Sequence, residues 1–183
     1  IDREVDYSLR TRVGPEVGVA STKSFTSQLV ILFLIATTLG KKFNNLKRPK
    51  IESYVSYLNK LPRAISKMLE LESQIITVAQ AIKNSNSVIF LGRGYLYPLA
   101  LEGALKLKEL SYIHAEGFAA GEMKHGPIAL IEDELPVIMF LIADGLEDKS
   151  ISNLQEAHSR GAKIILFADK ICIDKAPFAH FKI

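Results

Sequence analysis

The sequence predicts an α/β protein, a three-layer α/β/α sandwich around a doubly wound parallel sheet. Three observations carry this. Short continuous apolar runs, "SVIFLG" (87–92), "LPVIMFLIA" (135–143) and "AKIILFAD" (162–169), have the length and composition of strands covered on both faces. Helical stretches separate them, at about 96–113 and about 147–160, the second closing at Gly161. Alternating strand and helix then implies parallel strands joined by crossovers, with helices on both sides of the sheet.

Taken in order, residues 5–13 alternate weakly and predict a short strand ending at "RVGPE". Ser21, Thr22 and Ser24 follow as candidate helix caps, because a hydroxyl accepts from the unpaired first-turn amides. Phe25, Leu29, Leu32, Phe33, Ala36 and Leu39 then recur at helical spacing up to Gly40. A helix so apolar all round belongs in a core or a subunit interface. "KKFNNLKRPK" (41–50) is polar and basic and contains a proline, so it predicts a linker. Two helices are expected next, at about 51–60 and 62–84; the second carries an apolar stripe that includes Ile65, Met68, Ile75 and Ile82 and stops at "KNSNS". The chain opens "IDREVDYSL" and stops at "AHFKI" on an apparent strand, so it is expected to be a piece of a longer polypeptide. The first fifty residues should belong to another unit than the sheet.

Composition narrows the function classes. With 183 residues, 48% hydrophobic and 23% charged, the chain can bury a core. Its net charge of +3 is mild, and Lys47-Arg48-Pro49-Lys50 is its basic cluster; without a basic arm interleaved with aromatics, nucleic-acid binding is not expected. One cysteine, Cys172, leaves no internal disulfide and suits a reducing compartment. The longest apolar run, "LVILFLIA" (29–36), falls short of the roughly 20 residues of a membrane span, and no signal segment opens the chain. A cytoplasmic protein without membrane contact is the expectation.

Candidate chemistry follows from the predicted sheet, since ligands in open α/β sheets lie over the carboxyl ends of strands. The first such loop, "LGRGYLYP" (91–98), has Gly92 and Gly94 for close backbone approach to a ligand, but Pro98 and Leu99 occupy the region where a dinucleotide fingerprint needs its third glycine. Glu102, Lys106 and Glu109 share one face of the next helix. From spacing alone they read as a solvated face with supporting ion pairs as readily as a site. The face leads into "SYIHAEGFAAGEMKHGP", where Gly117, Ala119, Ala120, Gly121 and Gly126 crowd around His114, Glu116, Glu122, Lys124 and His125. A loop of small residues and histidines is costly to order unless something uses it. Lys106 would keep Glu109 ionised, ready to take a proton. His125, before a Gly-Pro turn, would shuttle a proton near neutral pH, or serve as a capping or buried hydrogen-bonded histidine. Neither metal-ligand spacing nor a GxSxG elbow is present, and Cys172 reads as a small apolar filler. Residue types alone reach a proton-transfer site for an anionic small molecule.

Three long segments go further. "VGPEVGVASTKSFTSQL" (13–29), "LGRGYLYPLALEGALKLKELSYIHAEG" (91–117) and "AGEMKHGPIALIEDELPVI" (120–138) resemble, in order, the isomerase half of the glutamine–fructose-6-phosphate aminotransferases. The resemblance covers most of the chain and weakens after about residue 168. It implies a pair of sugar-isomerase (SIS) domains of flavodoxin- or Rossmann-like type: residues 1–45 would end the first, 46–84 would be connecting helices, and 85–183 most of the second. The implied reaction takes ammonia from glutamine, condenses it with fructose 6-phosphate and isomerises the product to glucosamine 6-phosphate, a precursor of amino sugars and cell envelope. No metal or redox cofactor is implied.

The resemblance also assigns roles. Glu109 aligns with the glutamate that moves the proton between two sugar carbons, His125 with a ring-opening histidine contributed by the neighbouring subunit, and Lys106 with a lysine of the same site. Val19 and Ser21 align with groups lining the sugar pocket. A homodimer is therefore implied, with His125 acting in trans. The family's phosphate-cradling Ser/Thr loop would precede residue 1, its Schiff-base lysine would follow residue 183, and its glutaminase domain is missing from this segment, so the chain alone should be a poor catalyst. A sugar-phosphate deglycase shares the architecture, but "GVASTK" and "AGEMKHGP" together favour the aminotransferase. The alternative outside the enzyme class is a non-catalytic SIS module that binds sugar phosphate and regulates.

Overall fold

The computed structural model describes residues 3–183; the first two residues of the 1–45 segment lie outside the described residues. The chain divides into two compact units, Ile1–Glu70 and Leu71–Ile183.

The first unit is helical. Helix α1 spans Lys23–Lys42 and α2 spans Arg48–Leu69. The strand expected at 5–13 is absent: those described residues are irregular, and a strand needs a partner for its ladder, which this unit's helices do not offer. The expected hydroxyl caps are replaced by Glu16. Its carboxylate accepts from Thr22 N (2.8 Å), Lys23 N (3.1 Å) and Thr22 Oγ1 (2.9 Å), so a charged acceptor from the preceding loop takes the positive end of α1. At its other end α1 runs past Gly40, and Asn44 takes the left-handed conformation (φ 58°) while Asn45 N and Leu46 N donate to the Gly40 carbonyl. The linker expected over 41–50 thus shortens to the turn between the two helices.

The two helices expected at about 51–60 and 62–84 are not divided there: α2 continues through that point and through Pro62. A proline removes one backbone bond and bends a helix without having to end it; the break comes instead between Leu69 and Glu72. Phe33 and Tyr54 meet edge to face at 5.1 Å, but no residue of α1 or α2 is buried. The 20-residue α1 is long and apolar enough to cross a membrane by length and composition. The unbroken run 29–36 understated it, because Thr37 and Thr38 donate their hydroxyls to Phe33 O and Leu34 O (2.8 Å each) and so cost the helix little.

The second unit is the sandwich. Strands β1 (Ser87–Gly92), β2 (His114–Ala119), β3 (Pro136–Leu141), β4 (Lys163–Ala168) and β5 (Phe181–Lys182) form one all-parallel sheet in the order β2-β1-β3-β4-β5. The three long strands and the terminal one at "AHFKI" lie where the apolar runs put them. Strand β2 occupies a stretch whose sequence reads as loop. His114 and Glu116 point to water from this sheet edge, so its sequence lacks the apolar run that marks a strand. Gly117 has a packing reason: a Cβ there would sit 2.9 Å from Leu101 Cα, where helix α4 (Tyr97–Ser111) crosses the strand.

Two cores flank the sheet. On one face Val88, Phe90, Ile138 and Ile165 pack against Val78 and Ile82 of α3 (Glu72–Ile82) and Ala100 and Ala104 of α4. On the other, Leu91, Val137, Met139 and Ile164 pack against Leu154 and Ala157 of α5 (Glu147–Ser159) and Cys172 of α6 (Lys170–Lys175). Cys172 is fully buried and burial pushes its thiol up to about 12, as an apolar filler requires.

Candidate active site

Strand order reverses between β1 and β3, which makes the carboxyl end of β1 the place where this topology opens a crevice. The chain leaves β1 at Gly92, turns through Gly94–Leu96 and enters α4. Gly92 serves this turn rather than a ligand, since a Cβ there would lie 2.1 Å from Leu96 O.

Along α4 the small residues Ala100 and Ala104 face the sheet, and Glu102, Lys106 and Glu109 lie on the side turned away from it. Lys106 Nζ donates to Glu109 Oε2 at 2.6 Å and stands 3.4 Å from Glu102 Oε1. Its hydrogen bond to Glu109 and the field of both carboxylates hold the Lys106 ammonium above its ordinary range. All three side chains are only 21–32% exposed, unlike the surface pair Arg48–Glu52 at 88% and 61%. Leu101 and Leu105 stand about 40% exposed beside them. The result is a fixed carboxylate–ammonium–carboxylate row, half sheltered and rimmed with apolar surface, open on its outer side.

His125 ends a 3-10 turn, Ala120–His125, followed by Gly126 at φ 149°. Met123 of this turn is fully buried in the α5–α6 core, while His125 is exposed and its imidazole forms no hydrogen bond among the described residues. Within one chain the sheet therefore separates the two groups: Glu109 is on the α3–α4 side, and the turn that carries His125 packs on the α5 side. Lys106 and Glu109 are brought together; His125 is not brought to them.

Val19 and Ser21 belong to the first unit, in the loop before α1. Val19 is exposed, and Ser21 Oγ donates to Glu16 Oε2 at 3.4 Å. Glu16 is itself held down at about 2 by hydrogen bonds from Ser24, from the Thr22 and Lys23 amides and from the Thr22 hydroxyl. Hydroxyl caps alone do not point to this acceptor; an acid six residues ahead of Thr22, after "VGP", is the signal in the sequence. The other histidine of the segment, His114, pairs with Glu116 (3.4 Å) and Ser87 (3.2 Å) at the far end of β2, away from the crevice.

Comparison with known proteins fits this geometry. Residues 81–172 match the SIS domain family model. Glutamine–fructose-6-phosphate aminotransferase (isomerizing) of Zymomonas mobilis is 49% identical over 174 residues, and that of Bradyrhizobium diazoefficiens 51% over 169. These alignments cover 95% and 92% of this chain, which spans under a third of either relative, 29% and 28%. Among solved structures, the C-terminal domain of glucosamine-fructose-6-phosphate aminotransferase from Francisella tularensis superposes with a TM-score of 0.92 at 44% identity, over 94% of this chain and 49% of that one. Glucosamine-6-phosphate deaminase from Thermotoga maritima, at 24% identity and a TM-score of 0.63 over 83% of this chain and 44% of that one, shares the fold.

Proposed function

The chain belongs to the SIS domain family, and from that premise we propose that it is the isomerase portion of a glutamine-dependent amidotransferase that makes glucosamine 6-phosphate from fructose 6-phosphate. The observation that carries the reading is the Lys106–Glu109 pair, held at 2.6 Å on the outer face of α4. Ammonia condenses at the C2 carbonyl of the open-chain sugar with loss of water. A proton then leaves C1 and arrives at C2 while the C1 hydroxyl gives up its proton and the imine nitrogen gains one, so that C2 carries the amine and C1 ends as the aldehyde. One carboxylate that takes the first proton and returns it to C2 performs both halves. Glu109 is that base in this account, and Lys106 fixes it through their hydrogen bond.

His125 opens the sugar ring before the condensation, in the site of a partner subunit. Its exposure and its place across the sheet from Glu109 support a contribution in trans over one within the chain. Val19 and Ser21 line the sugar pocket. The glutaminase that supplies ammonia is carried elsewhere on the polypeptide, and the reaction runs in the cytoplasm. The division into 1–45, 46–84 and 85–183 follows the same reading.

The test is product formation by the polypeptide extended to its natural ends. The parent is expected to form glucosamine 6-phosphate from fructose 6-phosphate and glutamine, and Glu109→Gln is expected to bind the sugar phosphate without turning it over. A parent that binds sugar phosphate and makes no product would replace this reading with a regulatory binding module.

A further inference from the structure

The turn that ends in His125 is anchored more elaborately than its length requires. Asn153 of α5, only 8% exposed, donates from Nδ2 to the Ala120 carbonyl at 2.5 Å. Ser150, one turn earlier and fully buried, accepts from Arg93 Nε at 3.0 Å. The Arg93 guanidinium lies over the turn itself: a Cβ on Gly121 would stand 3.3 Å from Nη1. Glu156, one turn later on α5, pairs with Lys124 at 2.5 Å. Ser150, Asn153 and Glu156 thus form a polar row at helical spacing, and each reaches the Ala120–His125 turn directly or through Arg93.

Burying Ser150 and Asn153 has a cost that apolar side chains would avoid, because each must find a partner. The neighbouring apolar stripe of α5, Ile151, Leu154 and Ala157, already packs that helix on the sheet. The row instead fixes a short segment whose last residue carries an exposed imidazole with no hydrogen bond among the described residues. Gly126, at φ 149°, lets the chain turn away directly after it. A histidine with nothing to hold its ring depends on its backbone for direction.

We propose that Asn153 and Arg93 are positioning residues for His125: they hold the Ala120–His125 turn so that the imidazole projects at a fixed angle from the protein surface. Neither touches the sugar. The proposal rests on the reading of His125 as the ring-opening group.

A double-mutant cycle in the full-length enzyme tests it, with glucosamine 6-phosphate formation as the readout. Asn153→Ala is expected to lower kcat by about tenfold to a hundredfold with KM within about twofold, the size of effect that a small misplacement of a catalytic group produces. In a His125→Ala background the same change should produce no further loss, whereas Glu109→Gln should still lower the residual rate. Amide hydrogen exchange over 120–125 should quicken in Asn153→Ala. If Asn153→Ala does not fold, Arg93→Lys, which keeps the charge and loses the fork that spans Ser150 and the turn, is expected to show the same dependence on His125. An unchanged kcat, or equal losses with and without His125, would overturn the proposal while leaving the isomerase reading in place. If His125→Ala alone keeps the parent rate, the ring-opening assignment falls and the positioning role falls with it.

Discussion

Helices α4 and α5 lie on opposite faces of the same sheet and both carry polar residues at helical spacing, but they use them in opposite ways. On α4 the small residues face the sheet and Glu102, Lys106 and Glu109 face outward, where they neutralise one another beside half-exposed leucines. On α5 two polar residues, Ser150 and Asn153, are themselves buried and spend their hydrogen bonds on Arg93 and on the turn before His125. The periodicity is alike in both helices. The difference lies in which side meets the sheet, and it decides whether a polar residue is available to a molecule outside the chain or holds part of the chain in place.

The largest effect expected from breaking this contrast is at Glu109. Replacing it by Gln keeps the shape and a hydrogen bond to Lys106 but removes the base, so turnover should fall by about 10²–10⁴-fold with sugar binding kept, measured as kcat and Kd on the full-length enzyme. Stability should respond the other way round. Leu154→Ala, in the buried stripe of α5, is expected to cost about 2–5 kcal/mol in denaturant unfolding, while Leu105→Ala, on the outer face of α4, should cost less than about 1 kcal/mol. A large loss at Leu105 would mean that the outer face of α4 is covered.

Two smaller effects are read through pH. Because Glu109 raises the Lys106 value in the folded state, the pair's contribution is fully present below the ordinary lysine value of 10.5 and is lost as pH rises beyond it. Stability should therefore show no dependence on this pair between about pH 6 and 9, and Lys106→Met should remove only the loss at high pH. Glu16 runs the opposite way: its folded value of about 2 lies below the ordinary 4.5, so its contribution is present above 4.5 and is lost as pH falls from there toward 2. Fraying of the α1 amino terminus, followed by hydrogen exchange at Thr22 and Lys23, should appear in that acid window and should be independent of pH in Glu16→Gln.

Much of the sandwich was legible because its strands are buried on both faces and so write themselves as apolar runs; β1 and β4 lie where those runs put them. Strand β2 was not, since an edge strand with His114 and Glu116 facing water carries no such run. The first unit misled for a related reason. No residue of α1 or α2 is buried, so burial within this chain does not shape their pattern, and the division expected at about residue 61 falls after Leu69 instead. At the site, spacing placed Glu102, Lys106 and Glu109 on one face, but it said nothing about which side of the sheet that face or His125 would occupy. Asn153 and Glu16 act through contacts 33 and 6 residues away in sequence, beyond the reach of local periodicity.

The sheet keeps Glu109 and His125 on opposite sides of one chain, so the proposed site must draw them from different chains. Mixing Glu109→Gln subunits with His125→Ala subunits tests this directly, each being strongly impaired alone. If the site spans two chains, every mixed dimer regains one intact site, and random mixing should restore about a quarter of the parent activity. Mixtures that stay as impaired as the separate variants, with subunit exchange verified, would place both residues in one chain's site and contradict the account.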